Sequence, residues 1–191
     1  MKVGVFGGTF DPIHNGHLIT AQAVKEIRGL DKIIFIPCYI SPHKIDMFTA
    51  SDGHRLNMIN LAIKDIPYFE ASPIEIDNQE ISYTVDTLRE LKKNYEELEL
   101  IIGYDNILKF DTWKSPDEIM NLAKLIVLKR KVDASLSRAM NKYFGMAEFV
   151  DTPVIEISAT EIRRRVKRNL PINFLVPPQV ASYIQENKLY C

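Results

Sequence analysis

The chain has 191 residues, 46% of them hydrophobic, which suits one domain with a sizeable core. A formal net charge of −1 leaves no bulk field to gather polyanions, no apolar run approaches bilayer length, and two cysteines, Cys38 and Cys191, are too few for a disulfide framework. A membrane span and a stapled secreted scaffold are thereby excluded, and a cytoplasmic protein with two free thiols is expected.

Along the chain, apolar β-branched runs alternate with helical patterns. KVGVF predicts a strand followed by a helix from about Gly16, and KIIFIP a second strand followed by a helix from about Ser51. Between the last two, SPHKIDMFTASDG, residues 41–53, follows neither period and reads as a loop, of a length that often carries function. YFEASPIEI predicts a third strand before the helix TVDTLRELKKNYEEL. LELIIG is then followed by SPDEIMNLA, KLIVLKR by ASLSRAMNKYF, and VIEIS by ATEIRRRV. Ser115 with Pro116 and Glu118 predicts a capping box, as does Ser158 with Glu161. Pro171, Pro177 and Pro178 interrupt the chain before a last short helix, QVASYIQENKLY. Short, nearly all-apolar strands separated by helices predict an α/β fold, a doubly wound parallel sheet covered on both faces. The expected organisation is a single domain over residues 1–191, with a C-terminal helical segment, about 166–191, packed on it. In such sheets ligands lie beyond the carboxyl ends of the strands, so the residues just after each strand are the candidates.

The first such stretch is GGTFDPIHNGHL, residues 7–18. Gly7 and Gly8 permit a tight turn whose amides converge on an anion, and the helix beginning near Asn15 adds its own unpaired amides. His14 and His17 can share one face and reach the same ligand, offering donors without the fixed charge of lysine. Gly16 between them leaves room for close approach to the backbone. Taken alone, an HxxH spacing also suits surface and cap residues. The strand, the double glycine and the helix start together point to a phosphate. RRRVKR, residues 163–168, would in isolation suit a solvated or nucleic-acid-binding face, but a helix spreads these charges around its barrel. Neither nucleic acid nor a membrane is expected as a partner.

GGTFDPIHNGHL resembles the HxGH signature of the nucleotidyltransferase superfamily, and ISATEIRRR, residues 157–165, resembles its second signature, ISSTxIR. With IPCYISPHK, SYTVDTLRELK, GYDNILKFDTW and the ending FLVPPQVASYIQENKLY, the resemblance covers nearly the whole chain and is to bacterial nicotinate-nucleotide adenylyltransferases. It implies a Rossmann-like nucleotidyltransferase fold and transfer of AMP from ATP to nicotinate mononucleotide, giving deamido-NAD and pyrophosphate for NAD biosynthesis. By the same resemblance His14, His17 and Arg163 are catalytic. Gly7, Gly8, Thr9, Phe10, Gly16, Lys44, Gly103, Asp105, Ser158, Thr160 and Arg165 bind ATP. Tyr83, Thr84 and Trp113 bind the acceptor, the indole by stacking and the amides of the loop by meeting a carboxylate. Mg2+ is expected on the ATP phosphates with no dedicated protein ligands, so no metal residue is assigned; a homo-oligomer is left open. Ala159, Tyr104 and Ser41 stand where the family commonly has serine, alanine and proline. Pantetheine-phosphate and nicotinamide-mononucleotide adenylyltransferases are the enzymic alternatives, and a nucleotide-binding regulator without turnover is the non-enzymic one.

Overall fold

A computed structural model of the chain describes residues 1–40, 50–129 and 141–191, so Lys44, most of the 41–53 stretch and most of ASLSRAMNKYF lie outside the described residues. In chain order the elements are β1 (Lys2–Gly8), α1 (Asn15–Arg28), β2 (Lys32–Pro37), α2 (Asp52–Ile63), β3 (Phe69–Ala71), α3 (Ile74–Asp77) and α4 (Thr84–Lys92). There follow β4 (Glu97–Gly103), α5 (Tyr104–Ile107), α6 (Pro116–Leu122), β5 (Lys124–Leu128), β6 (Glu148–Val150), α7 (Ala159–Lys167) and α8 (Pro178–Glu186). The strands form one sheet in the order β3-β2-β1-β4-β5-β6, with every pairing parallel. The chain winds outward from β1 to β3, then returns to lay β4 against the other side of β1. The crevice over the ends of β1 and β4 is therefore the switch point at which such sheets bind ligands.

The central strands are largely apolar because both sheet faces are covered, the buried exception being Glu99 of β4, which accepts from Arg28 Nε at 2.9 Å, and alternate residues divide between two cores. Phe6, Ile33, Phe35, Ile101 and Ile126 pack with Met58 and Ile59 of α2 and with Val180 and Ile184 of α8. Val3, Val5, Ile34, Ile36, Leu100, Ile102, Leu125 and Val127 pack on the other side with Val85 and Leu88 of α4. Each such fully buried aliphatic side chain contributes about 1.5–3 kcal/mol through removal from water. The tyrosine hydroxyl of Tyr183 ties α8 to α2, accepting from Asn57 Nδ2 at 3.1 Å and lying 2.9 Å from His54 Nδ1.

Four expected boundaries differ. The third strand stops at Ala71, and Pro73 starts the helical turn α3 where SPIEI was expected to stay extended. VIEIS is not a strand: the sixth strand is Glu148–Val150, and residues 151–158 run on without ladder partners. The helix expected over TVDTLRELKKNYEEL closes at Lys92. Ser115 makes no cap bond and has φ 51°, whereas Ser158 Oγ does accept from the Glu161 amide at 3.2 Å. The Glu161 carboxylate turns outward to Arg164, so only half of that capping box forms. Among the described residues, no helix is long and apolar enough to cross a membrane.

Candidate active site

β1 runs through both glycines, and the left-handed residue of the following turn is Phe10, at φ 49°. The glycines do not make the turn, as the sequence suggested. Instead, a Cβ on Gly8 would meet the Phe10 ring at 3.1 Å, so the missing side chain lets that ring fold back across the strand end. A bulky residue at positive φ persists only where its surroundings hold it. Phe10 is 2% exposed and wedged between the rings of Phe6, Phe35 and His17, at centroid distances of 5.8, 5.7 and 5.0 Å. The wedge buttresses His17.

The two imidazoles stack, with centroids 3.6 Å apart and planes 19° from parallel. The backbone N–H of His14, the N-cap of α1, donates to His17 Nδ1 at 3.2 Å, which assigns the His17 ring proton to Nε2. Gly16 is required by its neighbour: a Cβ there would sit 3.0 Å from His14 Nδ1 and 3.4 Å from Ile155. The expectation of free helix amides is only partly met, since the Asn15 N–H is taken by the Leu175 carbonyl at 2.9 Å. Burial pushes the His14 imidazole down to about 4, and burial followed by the adjacent His14 holds His17 well below the ordinary histidine range. Both rings are neutral at pH 7.

Across the cleft, α7 presents its capped end. Arg163 Nη1 donates to the Asp11 carbonyl at 2.7 Å, and Nη2 donates to Thr160 Oγ1 at 3.4 Å. Together with Gly8, Thr9, Phe10, Gly16 and Gly103, the side chains His14, His17, Ser158, Thr160 and Arg163 line one cavity of about 510 Å³. A second cavity of about 330 Å³ opens on the other side of the β1 end. Gly7, Tyr83, Thr84 and Trp113 line it, with Trp113 packed on Phe110 at 5.1 Å. The two cavities share Phe6, Gly8, Thr9, Gly103 and Asn106, so they meet over the ends of β1 and β4.

Two expected contacts are not brought to either cavity. Asp105 sits exposed on the first turn of α5, and the next residue, Asn106, lines both cavities in its place. Arg165 points along the far side of α7 and donates from Nε to the Pro171 carbonyl at 2.9 Å. The first three arginines of RRRVKR thus serve the cleft, Glu161 and the C-terminal segment respectively. Sequence reasoning missed Asn106 and Lys129, both just past strand ends, where the rule about strand termini pointed. It also missed Lys114 and Glu75 in the smaller cavity. Lys114 Nζ lies 4.4 Å from the Tyr83 ring centre and 2.8 Å from Asp86 Oδ2, putting a cation at the rim. Glu75 accepts from Thr87 Oγ1 at 2.6 Å, and burial pushes its carboxyl up from the usual range. Burial likewise raises the Cys38 thiol, favouring its unreactive protonated form.

The larger cavity thus lies beside a smaller, aromatic-lined one over the ends of β1 and β4. The model of the cytidylyltransferase-like family matches residues 5–165. The chain belongs to that family. Within it, a protein of Thermoanaerobacter sp. (strain X514) named probable nicotinate-nucleotide adenylyltransferase is 41% identical over 199 residues, covering 100% of this chain and 94% of the relative. A protein of the same name from Dictyoglomus thermophilum is 42% identical over 195 residues, covering 100% of both. Plasmodium falciparum nicotinic acid mononucleotide adenylyltransferase complexed with NaAD superimposes with a TM-score of 0.77 at 22% identity, over 99% of this chain and 97% of the other. The same protein complexed with APC gives 0.75 at 22% identity, over 99% and 96%. These structures share the fold of this member of the cytidylyltransferase-like family.

The buried neutral histidines make stability depend on pH in this family member. The unfolded chain protonates His14 near 6.5 and the folded chain only near 4, so stability is complete above about 6.5 and is lost as pH falls toward 4. His14 alone accounts for about 3 kcal/mol over that window. Calorimetry is expected to show Tm falling by about 5 °C or more between pH 6.5 and 4.5, with a smaller fall in His14→Gln. An equal fall in both proteins would remove His14 as the cause.

Proposed function

We propose that the chain is a nicotinate-nucleotide adenylyltransferase, moving AMP from ATP to nicotinate mononucleotide and releasing pyrophosphate. The observation that carries this reading is the junction of the two cavities over Gly8 and Thr9, with paired imidazoles and Arg163 on one side and Trp113 and Tyr83 on the other. The larger cavity takes the triphosphate and adenosine of ATP; the smaller takes the pyridine ring against the indole. The acceptor phosphate then reaches the α-phosphorus across the junction. An acceptor oxygen forms the new bond to that phosphorus, and the bond to the bridging oxygen breaks on the opposite side. The pyrophosphate leaves with the electron pair toward Thr160 and Arg163. No side chain becomes covalently attached, so the protein's contribution is alignment and stabilisation of charge.

Neutral His14 and His17 suit this role because they donate hydrogen bonds that strengthen as charge grows on the phosphoryl oxygens. Mg2+ enters as part of the MgATP substrate. Among the described residues no group of three or more His, Cys, Asp or Glu side chains could hold a metal. For the acceptor, the first-turn amides of α4 at Thr84 and the nearby Lys114 cation favour a carboxylate over a carboxamide. Burial raises the Glu75 carboxyl from its usual range, which lessens its opposition to an anion there. Two unpaired thiols suit a reducing compartment, and we assign the enzyme to the cytoplasm on that ground.

The test is pyrophosphate release with four substrate pairs. ATP with nicotinate mononucleotide is expected to give the highest kcat/KM, exceeding nicotinamide mononucleotide by about tenfold or more. Phosphopantetheine and CTP are expected to give none above background. Preference for the carboxamide, or turnover only with CTP, would replace the reading.

A further inference from the structure

Asp11 stands where three distant parts of the chain meet, and its carboxylate is only 1% exposed. Oδ1 accepts from the Tyr190 hydroxyl at 2.6 Å and from the Ala50 amide at 3.0 Å. Oδ2 is buried without a hydrogen-bond partner and faces Arg163 Nη1 at 3.6 Å. That same nitrogen spends its hydrogen bond on the Asp11 carbonyl, at 2.7 Å. Arg163 is thus held beside the carboxylate but is not consumed by it. A buried carboxylate short of donors recruits whichever donor is near, and a bidentate arginine–carboxylate pair would leave the guanidinium little to offer a phosphate.

We infer that Tyr190 is a positioning residue for Arg163: by donating its hydroxyl proton to Asp11 it satisfies the carboxylate that would otherwise draw the guanidinium out of the cleft. The inference rests on the reading of the larger cavity as a polyphosphate site. The C-terminal tail is built for the contact. Tyr190 and Leu189 pack against the α2–α8 side of the core, and Tyr190 keeps its place at φ 65°, a conformation an aromatic residue adopts only when tertiary contacts hold it. Burial, and then the neighbouring Asp11, push the Tyr190 hydroxyl far above the usual phenol range, so it remains a donor at every working pH.

The experiment is calorimetric binding of inorganic tripolyphosphate to the intact wild-type chain, to Tyr190→Phe and to the double variant Asp11→Asn/Tyr190→Phe, with near-UV circular dichroism as the check on packing. Tyr190→Phe removes one oxygen and is expected to raise Kd by about tenfold. In the double variant the neutral amide no longer attracts Arg163, while the backbone carbonyl that anchors the arginine stays. Kd is expected to return to within about threefold of wild type. An unchanged Kd in Tyr190→Phe overturns the inference. So does weakened binding that the double variant fails to restore, which would make the tail contact a structural strut. A wild-type chain that does not bind tripolyphosphate overturns the reading of the cavity itself.

Discussion

His17→Ala is expected to lower kcat by about 10²–10³ while leaving KM for ATP within about threefold, the pattern of an interaction made chiefly in the transition state. His17 Nδ1 accepts from the His14 backbone, so Nε2 carries the proton, and burial keeps the ring uncharged. A neutral donor binds a ground-state phosphate only moderately and gains strength as negative charge develops beside it in a site with little water. The ring cannot drift, because it is stacked on His14 and held edge-on by Phe10. Alanine removes the donor and leaves a gap against Phe10, so a second variant separates chemistry from packing. His17→Asn retains an acceptor for the His14 amide but ends short of the Nε2 position. It is expected to keep a wild-type Tm within about 2 °C while losing nearly as much kcat. Steady-state pyrophosphate release and thermal melts on the same preparations give both readings. Wild-type turnover in either variant would remove His17 from the chemistry.

Arg163→Lys is expected to lower kcat/KM for ATP by about 10²-fold with little change in Tm, and Arg163→Ala to lower both. The guanidinium makes a backbone bond to Asp11 and a contact to Thr160 from two nitrogens, still carrying further N–H groups for a phosphate. A lysine ammonium is a single charged point and cannot hold the anchor and the ligand in the same geometry. It does, however, preserve a positive charge beside the buried Asp11 carboxylate. Alanine removes that charge as well, and stripping one partner from a buried pair costs about 3–5 kcal/mol. Melting should therefore fall by about 10 °C in the alanine variant only. Equal kcat/KM in the lysine variant and wild type would show that the bidentate geometry is irrelevant to the reaction.

Legibility followed the range of the interactions. Strands β1, β2, β4 and β5 show in the sequence because burial on both faces makes nearly all their inner positions apolar, Glu99 excepted. The edge strands β3 and β6 have three residues each, too few for a period to emerge. VIEIS alternates like a strand, yet it runs beside the larger cavity without ladder partners. Ile155 lies against the Gly16 position while Val154 is 52% exposed, so the alternation marks contact with α1 without sheet pairing. The histidine pair was readable because both rings and the glycine between them lie within one turn. Arg163 was readable from a second local motif. Arg165 is not brought to the cleft, because two residues along a helix from Arg163 is about 200° around it, which turns its side chain toward Pro171. Asp11 with Tyr190, 179 residues apart, had no local signal at all.

The saddle of Gly8 and Thr9, bare of bulk between two hollows, bears on inhibitor chemistry. A compound joining a flat aryl acid to a polyphosphate mimic through a slim linker could occupy both hollows at once. Its second end would then bind at an effective concentration set by the linker, in the millimolar range for short flexible ones, and two weak fragments would combine into one tight ligand. Linker girth, rather than affinity at either end, becomes the variable to optimise.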